Sequence, residues 1–484
     1  MNKITQRLSE SKYYLLAALS LSIIAALLIS KLGIMGAGLI AAPIVGIPIV
    51  YGVVAYPKFG IIVLILACHV VMWVIRMDVI HFPLGTLMDA LEMLLILGFF
   101  IKQKQHPDWW FTKKNAISVM VLVWVIYNVA QVGNPTASSR MAWLYTIRSM
   151  AAVTLLYYVF CYVIDDIKYI RLLLKLWLGL STFAALYAFK QEFIGFTDYE
   201  LASVSSEIQM SLMFIDGHWR KFSIFSDPVA FSYNMVISTI ICLVLIIGKR
   251  PVAQKVILGI MIFLMLYAML FSGTRGAYVL LPAALVFFGL LHFNRKILIM
   301  GVVGAFLFVV FINMPSGNPS IRRFQSAFAP SEDASFNLRK QNQKKIQPYI
   351  LAHPLGGGLG ATGGWGMRFS PGSYLSSFPP DSGYVRTAVE LGSIGLLIFC
   401  MLMFVVLKTG IDNFFTIRDP ELKSYALAML LVIFALSIGN YPQEAFVQFP
   451  NNILFYLSIA IIVVLKRLDD QKQKQALPID KIAI

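Results

Sequence analysis

Arg275 sits in the stretch FSGTRGAY, a very short turn between two long apolar runs. A guanidinium held at membrane depth is costly and is a functional candidate by default. Gly273 and Gly276 on either side let backbones approach closely. The plainer alternative is an arginine snorkelling from a helix end. Arg220 stands in a second polar stretch, GHWRKFSIFSDPVAFSY, just ahead of another apolar run. The start of that run is marked by Asp227 as N-cap and Pro228 in the first turn. Arg220 and its neighbour Lys221 read equally well as solvated loop charges. Taken with Arg275, however, Arg220 puts two planar forks on one membrane face, which suits the oxygens of a diphosphate.

The remaining polar chemistry is gathered in residues 314–382, by far the longest hydrophilic passage of the chain. Arg322 and Arg323 open it beside Phe324 and Phe328. The pattern then predicts a helix from about Ala334 to Ala352. Phe336, Ile346 and Ile350 are set there against Arg339, Lys340, Lys344 and Lys345, so the helix can lie along the membrane interface or over a cavity. For the lysines a solvated face is the preferred reading. AHPLGGGLGATGG follows, whose glycines signal a tight turn and close backbone approach. It lacks the Lys-Ser/Thr ending of a phosphate-binding loop. His353, at its start, is either structural or a catalytic base. After Pro379 and Pro380, Asp381 is either the N-cap of the next helix or a carboxylate placed to take a proton from a sugar hydroxyl. Arg386 and Glu390, four apart, can pair on that helix. Asp89 and Glu92 lie one turn apart inside an apolar run, and intramembrane carboxylates usually face a cavity or a partner.

These residues are positioned by a hydrophobic scaffold. The chain of 484 residues is 58% hydrophobic and only 13% charged, with a mean hydropathy of +0.76. Repeated apolar runs of about 20 residues predict an all-α, polytopic membrane helix bundle of about 12–14 transmembrane helices. Lys58, Lys102, Lys104, Lys113, Lys114, Lys168, Arg171 and Lys175 fall in alternate gaps, as do Lys249, Arg250, Lys408, Lys466 and Arg467. The opposite short gaps are poor in basic residues. The positive-inside rule therefore puts both termini in the cytoplasm and the loops 190–227 and 314–382 on the outer face. The formal net charge of +16 follows from this topology. No basic region stands apart from the apolar runs, so nucleic acid is not an expected partner. Cys68, Cys161, Cys242 and Cys400 all lie in apolar runs and read as buried small hydrophobes. No zinc-spaced His/Cys set and no nucleotide-binding fingerprint occurs, so neither metal nor cofactor is expected.

Four elements taken in order resemble the O-antigen ligase and O-antigen polymerase superfamily of bacterial membrane enzymes. They are Arg220…Phe225…Pro228 before a helix, the turn Ser272 to Ala277, the His-Pro-Leu-Gly-Gly-Gly element, and the helix start Glu390 to Leu397. The resemblance implies a metal-independent, inverting glycosyltransferase of the inner membrane. Its donor is a glycan on undecaprenyl diphosphate, and its acceptor is a sugar hydroxyl of a glycan or glycolipid on the periplasmic side. By that likeness Arg220 and Arg275 hold the diphosphate. Ligases of the family usually carry a histidine just before the last-named helix; here the position is Asp381, which tilts the expectation toward a polymerase. Ligation to lipid A-core or another acceptor is the alternative. His353 is the second catalytic candidate, and Lys221, Arg339, Arg386 and Glu390 are possible substrate contacts.

The expected organisation is an N-terminal bundle over 1–313, a periplasmic lid over 314–382, further membrane helices over 383–467 and a cytoplasmic tail over 468–484. A flippase or other transporter is the rival of a different class. It calls for related halves and a polar site at mid-membrane. No such halves are visible, and flipping does not require an outer loop of this length.

Overall fold

The computed structural model describes residues 2–77, 84–103, 115–215, 217–293, 295–317, 319–328, 334–379 and 381–476. Lys104, Lys113, Lys114, Pro380 and the last residues of the tail lie outside the described residues. Within them every apolar run read from the sequence is a helix. Among the described residues ten helices are long and apolar enough to cross a membrane. Three shorter apolar helices, Ser22–Leu32, Pro43–Ala55 and Arg275–Leu291, add to these. Among the described residues strand is confined to a hairpin of Phe214–Ile215 with His218–Trp219. The protein is thus a polytopic all-α membrane protein, because in lipid only helices satisfy their own backbone groups within one segment.

Pro228–Ile247 and Asn451–Ala476 are the most enclosed spans. Pro228–Ile247 packs on Val252–Phe271 and on Pro420–Gly439. Apolar side chains gain little from leaving lipid, so polar contacts and small residues supply specificity between helices. A buried ladder runs from Trp177 Nε1 to Ser238 Oγ (3.0 Å), from Ser238 to Ser181 (2.9 Å) and from Ser181 to Asn234 Oδ1 (2.8 Å). It joins Ile167–Phe193 to Pro228–Ile247. Thr154 and Tyr456 meet at 3.0 Å, and Asn413 donates to the Ile462 carbonyl. Asp89, inside the bundle, pairs with Arg148 at 2.8 Å, whereas Glu92 is buried beside the apolar core.

The connecting segments gather in two sets. Lys58 pairs with Asp165, Arg171 with Glu421 and Lys472 with Asp419. These segments are the ones that charge alternation assigns to a single side. The segments assigned to the other side also meet one another. Arg323 reaches the 272–275 turn, and Gly383 N donates to Asn440 O. The predicted helix Ala334–Ala352 is present. Its Ile346 is buried with Ala361, Leu375 and Val389, while Lys344 and Lys345 are exposed.

Candidate functional site

Val252–Phe271 ends at Ser272, and the chain reverses through Gly273 (φ 57°) before Arg275 opens the next short helix. Gly273 is required twice over. Its backbone is left-handed, and a Cβ there would stand 2.9 Å from Arg323 Nε. Two guanidiniums bracket this turn. Arg220 donates from Nε to Ser272 O (2.8 Å), from Nη2 to Thr274 Oγ1 (3.0 Å) and from Nη1 to Leu212 O (3.0 Å). Arg323 donates from Nε to Gly273 O at 2.8 Å. The backbone N–H of Lys221 also docks on Phe271 O.

Between these elements lies a cleft of about 740 Å³ lined by Arg220, Lys221, Arg275, Arg322, Arg323 and Glu192 among others. Lys221 pairs with Glu192 at 3.1 Å, so among the described residues the remaining charge of the wall is positive. Burial, with Arg323 and Arg275 adding repulsion, pushes the Arg220 guanidinium down to about 10. Such a wall is suited to an anion that several guanidiniums can share.

Arg220 and Arg275 therefore line one cleft. Their geometry differs from two free forks, because Arg220 spends three of its five N–H groups on the protein itself. Arg322 and Arg323 received no role from the sequence. The available signal was their place beside Phe324, which anchors Pro319–Ser326 by packing on Tyr278 (4.9 Å) and Phe311 (5.8 Å).

Arg275 also lines a second cleft, of about 680 Å³, with Phe336, Arg339, Lys340, Tyr384 and Tyr441. Arg339 in turn shares a small recess with Asp381. Burial pushes the Asp381 carboxyl above its ordinary value, and the Arg339 charge opposes that shift. Asp381 is not the helix cap expected as one of its two readings. Ser382 occupies the N-cap position and makes no side-chain cap bond. The register is set by Gly383, whose N–H meets Asn440 O at 2.9 Å and which has no room for a Cβ. Asp227, by contrast, does cap its helix, accepting from Val229 N and Ala230 N.

Arg386 and Glu390 form the expected pair at 3.1 Å, extended by Glu444 at 2.7 Å from Arg386 Nη1. Both residues line a separate cavity of about 160 Å³ on the bundle side of the helix. Burial raises the Glu444 carboxyl despite the neighbouring guanidinium.

Residues 260–400 match the family model described as O-antigen ligase. A curated O-antigen polymerase of Salmonella muenchen is 26% identical over 215 residues, which is 43% of this chain and 51% of that protein. Over these parts the chain is similar to O-antigen ligases and polymerases. It spans about half the length of the curated relative it matches.

The matched segment holds the Gly273 turn, Arg275, Arg323, Arg339 and Asp381; Arg220 lies outside it. Its two glycine motifs interlock. Gly357 N donates to Val389 O and Gly358 N to Glu390 O, both at 2.9 Å, and Ile394 N reaches Pro354 O. The long helix Gly383–Thr416 breaks at Gly392 (φ 73°, ψ −175°) to admit this turn. From the other side Glu390 accepts from Gly360 N (2.9 Å) and from Thr362. The Gly-rich turn is thereby committed to the helix. His353 lines none of these clefts; its ring stacks on Tyr349 at 4.1 Å, and Nδ1 bonds Tyr349 O at 2.9 Å.

Proposed function

We propose that the protein transfers a glycan from an undecaprenyl-diphosphate donor to a sugar hydroxyl of an acceptor, on the periplasmic side of the bacterial inner membrane. The observation that carries this reading is the position of Arg275, common to the basic cleft and the second cleft. The diphosphate sits among Arg275, Arg323 and the remaining N–H groups of Arg220. The first sugar projects past Arg275 into the second cleft, where Tyr384, Tyr441, Arg339 and Lys340 surround it. Asp381, at the far side of Arg339, accepts the proton of the acceptor hydroxyl. The acceptor oxygen bonds to the anomeric carbon as the bond from that carbon to the diphosphate oxygen breaks. Attack from the opposite face inverts the centre, and the guanidiniums stabilise the charge growing on the leaving diphosphate. His353, stacked on Tyr349, supports the turn beside this site. Arg386 and Glu390 hold the helix that presents Asp381.

Polymerase action is favoured because an aspartate occupies the place where ligases of the superfamily carry histidine. The partial relative is also named an O-antigen polymerase. Ligase action is the second reading, supported by the description of the matched family. Incubating the purified protein in nanodiscs with a lipid-linked glycan alone decides between them. A ladder of longer lipid-linked chains identifies a polymerase. Product that requires a separate glycolipid acceptor identifies a ligase, and no transfer under either condition refutes the enzyme reading.

A further inference from the structure

Among the described residues Ser223 is the one residue other than glycine with a positive φ, at 55°. A side chain in the left-handed region is disfavoured unless its surroundings over-determine it. Here they do. Gln191, in the last turn of Ile167–Phe193, accepts from Ser223 N through Oε1 (2.8 Å) and donates from Nε2 to Ser223 O (3.3 Å). Ser223 Oγ donates to Ala184 O at 2.6 Å.

The orientation of the Gln191 amide is itself fixed. Nε2 also donates to Glu200 Oε1 at 2.6 Å, and an ionised carboxylate only accepts. The amide oxygen must therefore face the Ser223 N–H. Glu200 is fully buried and is held by Tyr187 Oη (3.0 Å), Lys190 Nζ (3.2 Å) and Thr197 N (2.7 Å). Burial acts to raise its carboxyl, but these donors outweigh burial and keep it below its ordinary value.

The left-handed step joins two fixed parts of the chain. Upstream, Arg220 and Lys221 dock on the 271–274 turn, and Phe222 is buried, stacked on Phe196 at 5.2 Å and under the Arg76 guanidinium at 3.9 Å. Downstream, Phe225 is buried in the bundle, and Arg76 Nη2 donates to Ser226 O at 2.8 Å. Asp227 then caps Pro228–Ile247. The angle between the Arg220 segment and that helix is set at Ser223.

We propose that Gln191 is a positioning residue for the basic cleft: its amide, locked by Glu200, holds Ser223 left-handed and so fixes Arg220 against the Ser272–Thr274 turn. This inference rests on the reading of that cleft as the diphosphate site. Gln191 touches no substrate and acts only through Ser223.

The test is the dissociation constant of the purified full chain for undecaprenyl diphosphate. Gln191→Leu is expected to weaken binding about tenfold. Adding Ser223→Gly, which tolerates positive φ, is expected to restore it to within about threefold of wild type. Adding Ser223→Ala is expected to restore nothing, although both changes remove the same hydroxyl. Wild-type affinity in Gln191→Leu, or equal behaviour of the glycine and alanine double variants, overturns the proposal. Should Gln191→Leu fail to fold, Ser223→Gly and Ser223→Ala alone serve. Tighter binding by the glycine variant, by several-fold, supports the proposal, and equal binding overturns it. Arg275→Ala separates the two levels. If it binds like wild type, the diphosphate site is wrong and the inference falls with it. If it loses binding while Gln191→Leu does not, only the positioning role fails.

Discussion

Gly392→Ala should unseat the Gly-rich turn from the helix that follows Asp381. The Gly392 backbone, at φ 73° and ψ −175°, occupies a region that essentially only glycine reaches. A Cβ there would stand 1.9 Å from Pro354 O and 2.5 Å from Gly356 N, both of them backbone atoms that cannot rotate away. Alanine therefore costs about 1–3 kcal/mol for its conformation alone. Moving the turn aside forfeits the bonds from Gly357, Gly358 and Ile394, each worth about 1 kcal/mol net. The docked state is penalised by at least the conformational cost, about 1–3 kcal/mol, or roughly five- to 150-fold in the equilibrium between docked and undocked turn before the clash is added. Hydrogen–deuterium exchange at the amides of Gly357, Gly358 and Ile394 reads this directly. Gly364→Ala is the control, since a Cβ at Gly364 meets nothing within 4 Å. Faster exchange in Gly392→Ala but not in Gly364→Ala is expected. Unchanged protection in Gly392→Ala refutes the interlock.

If Asp381 is the base, Asp381→Asn lowers turnover by about a hundredfold or more while donor affinity is kept. Because burial raises the Asp381 carboxyl and the ionised form is the base, the rate climbs as pH rises toward that raised value and levels off above it. Arg339→Ala removes the charge that opposes the shift and moves this acid limb to higher pH; a limb that does not move excludes the coupling. Glu390→Ala leaves Arg386 short of a partner and frees Gly360 and Thr362. The loss is about 3–5 kcal/mol by analogy with broken buried pairs, seen as a lowered thermal midpoint, and an unaltered midpoint argues against the clamp.

The scaffold was legible because each span is a long apolar run, and length with hydropathy suffices to place such helices. The meeting of Arg220 and Arg275 in one cleft was legible for a related reason: both interrupt the charge pattern of the gaps. What stayed hidden depends on contacts between residues far apart in sequence. Arg323 reaches Gly273 across 50 positions, Glu444 reaches Arg386 across 58, and Gln191 reaches Ser223 across 32. No local period encodes those pairings. The cap at Asp381 was misplaced by one residue because Asp381 and Ser382 are both good N-cap types. Local propensity cannot choose between neighbours, and the choice is made by Gly383 packing on Asn440.

The most direct test of a diphosphate site shared between two clefts is turnover by Arg275→Ala, with Arg275→Lys beside it, in correctly inserted and stable protein. Expected is loss of product formation in the alanine variant and only a small residue in the lysine variant, because an ammonium cannot reproduce the planar fork. Full activity in Arg275→Ala contradicts the site.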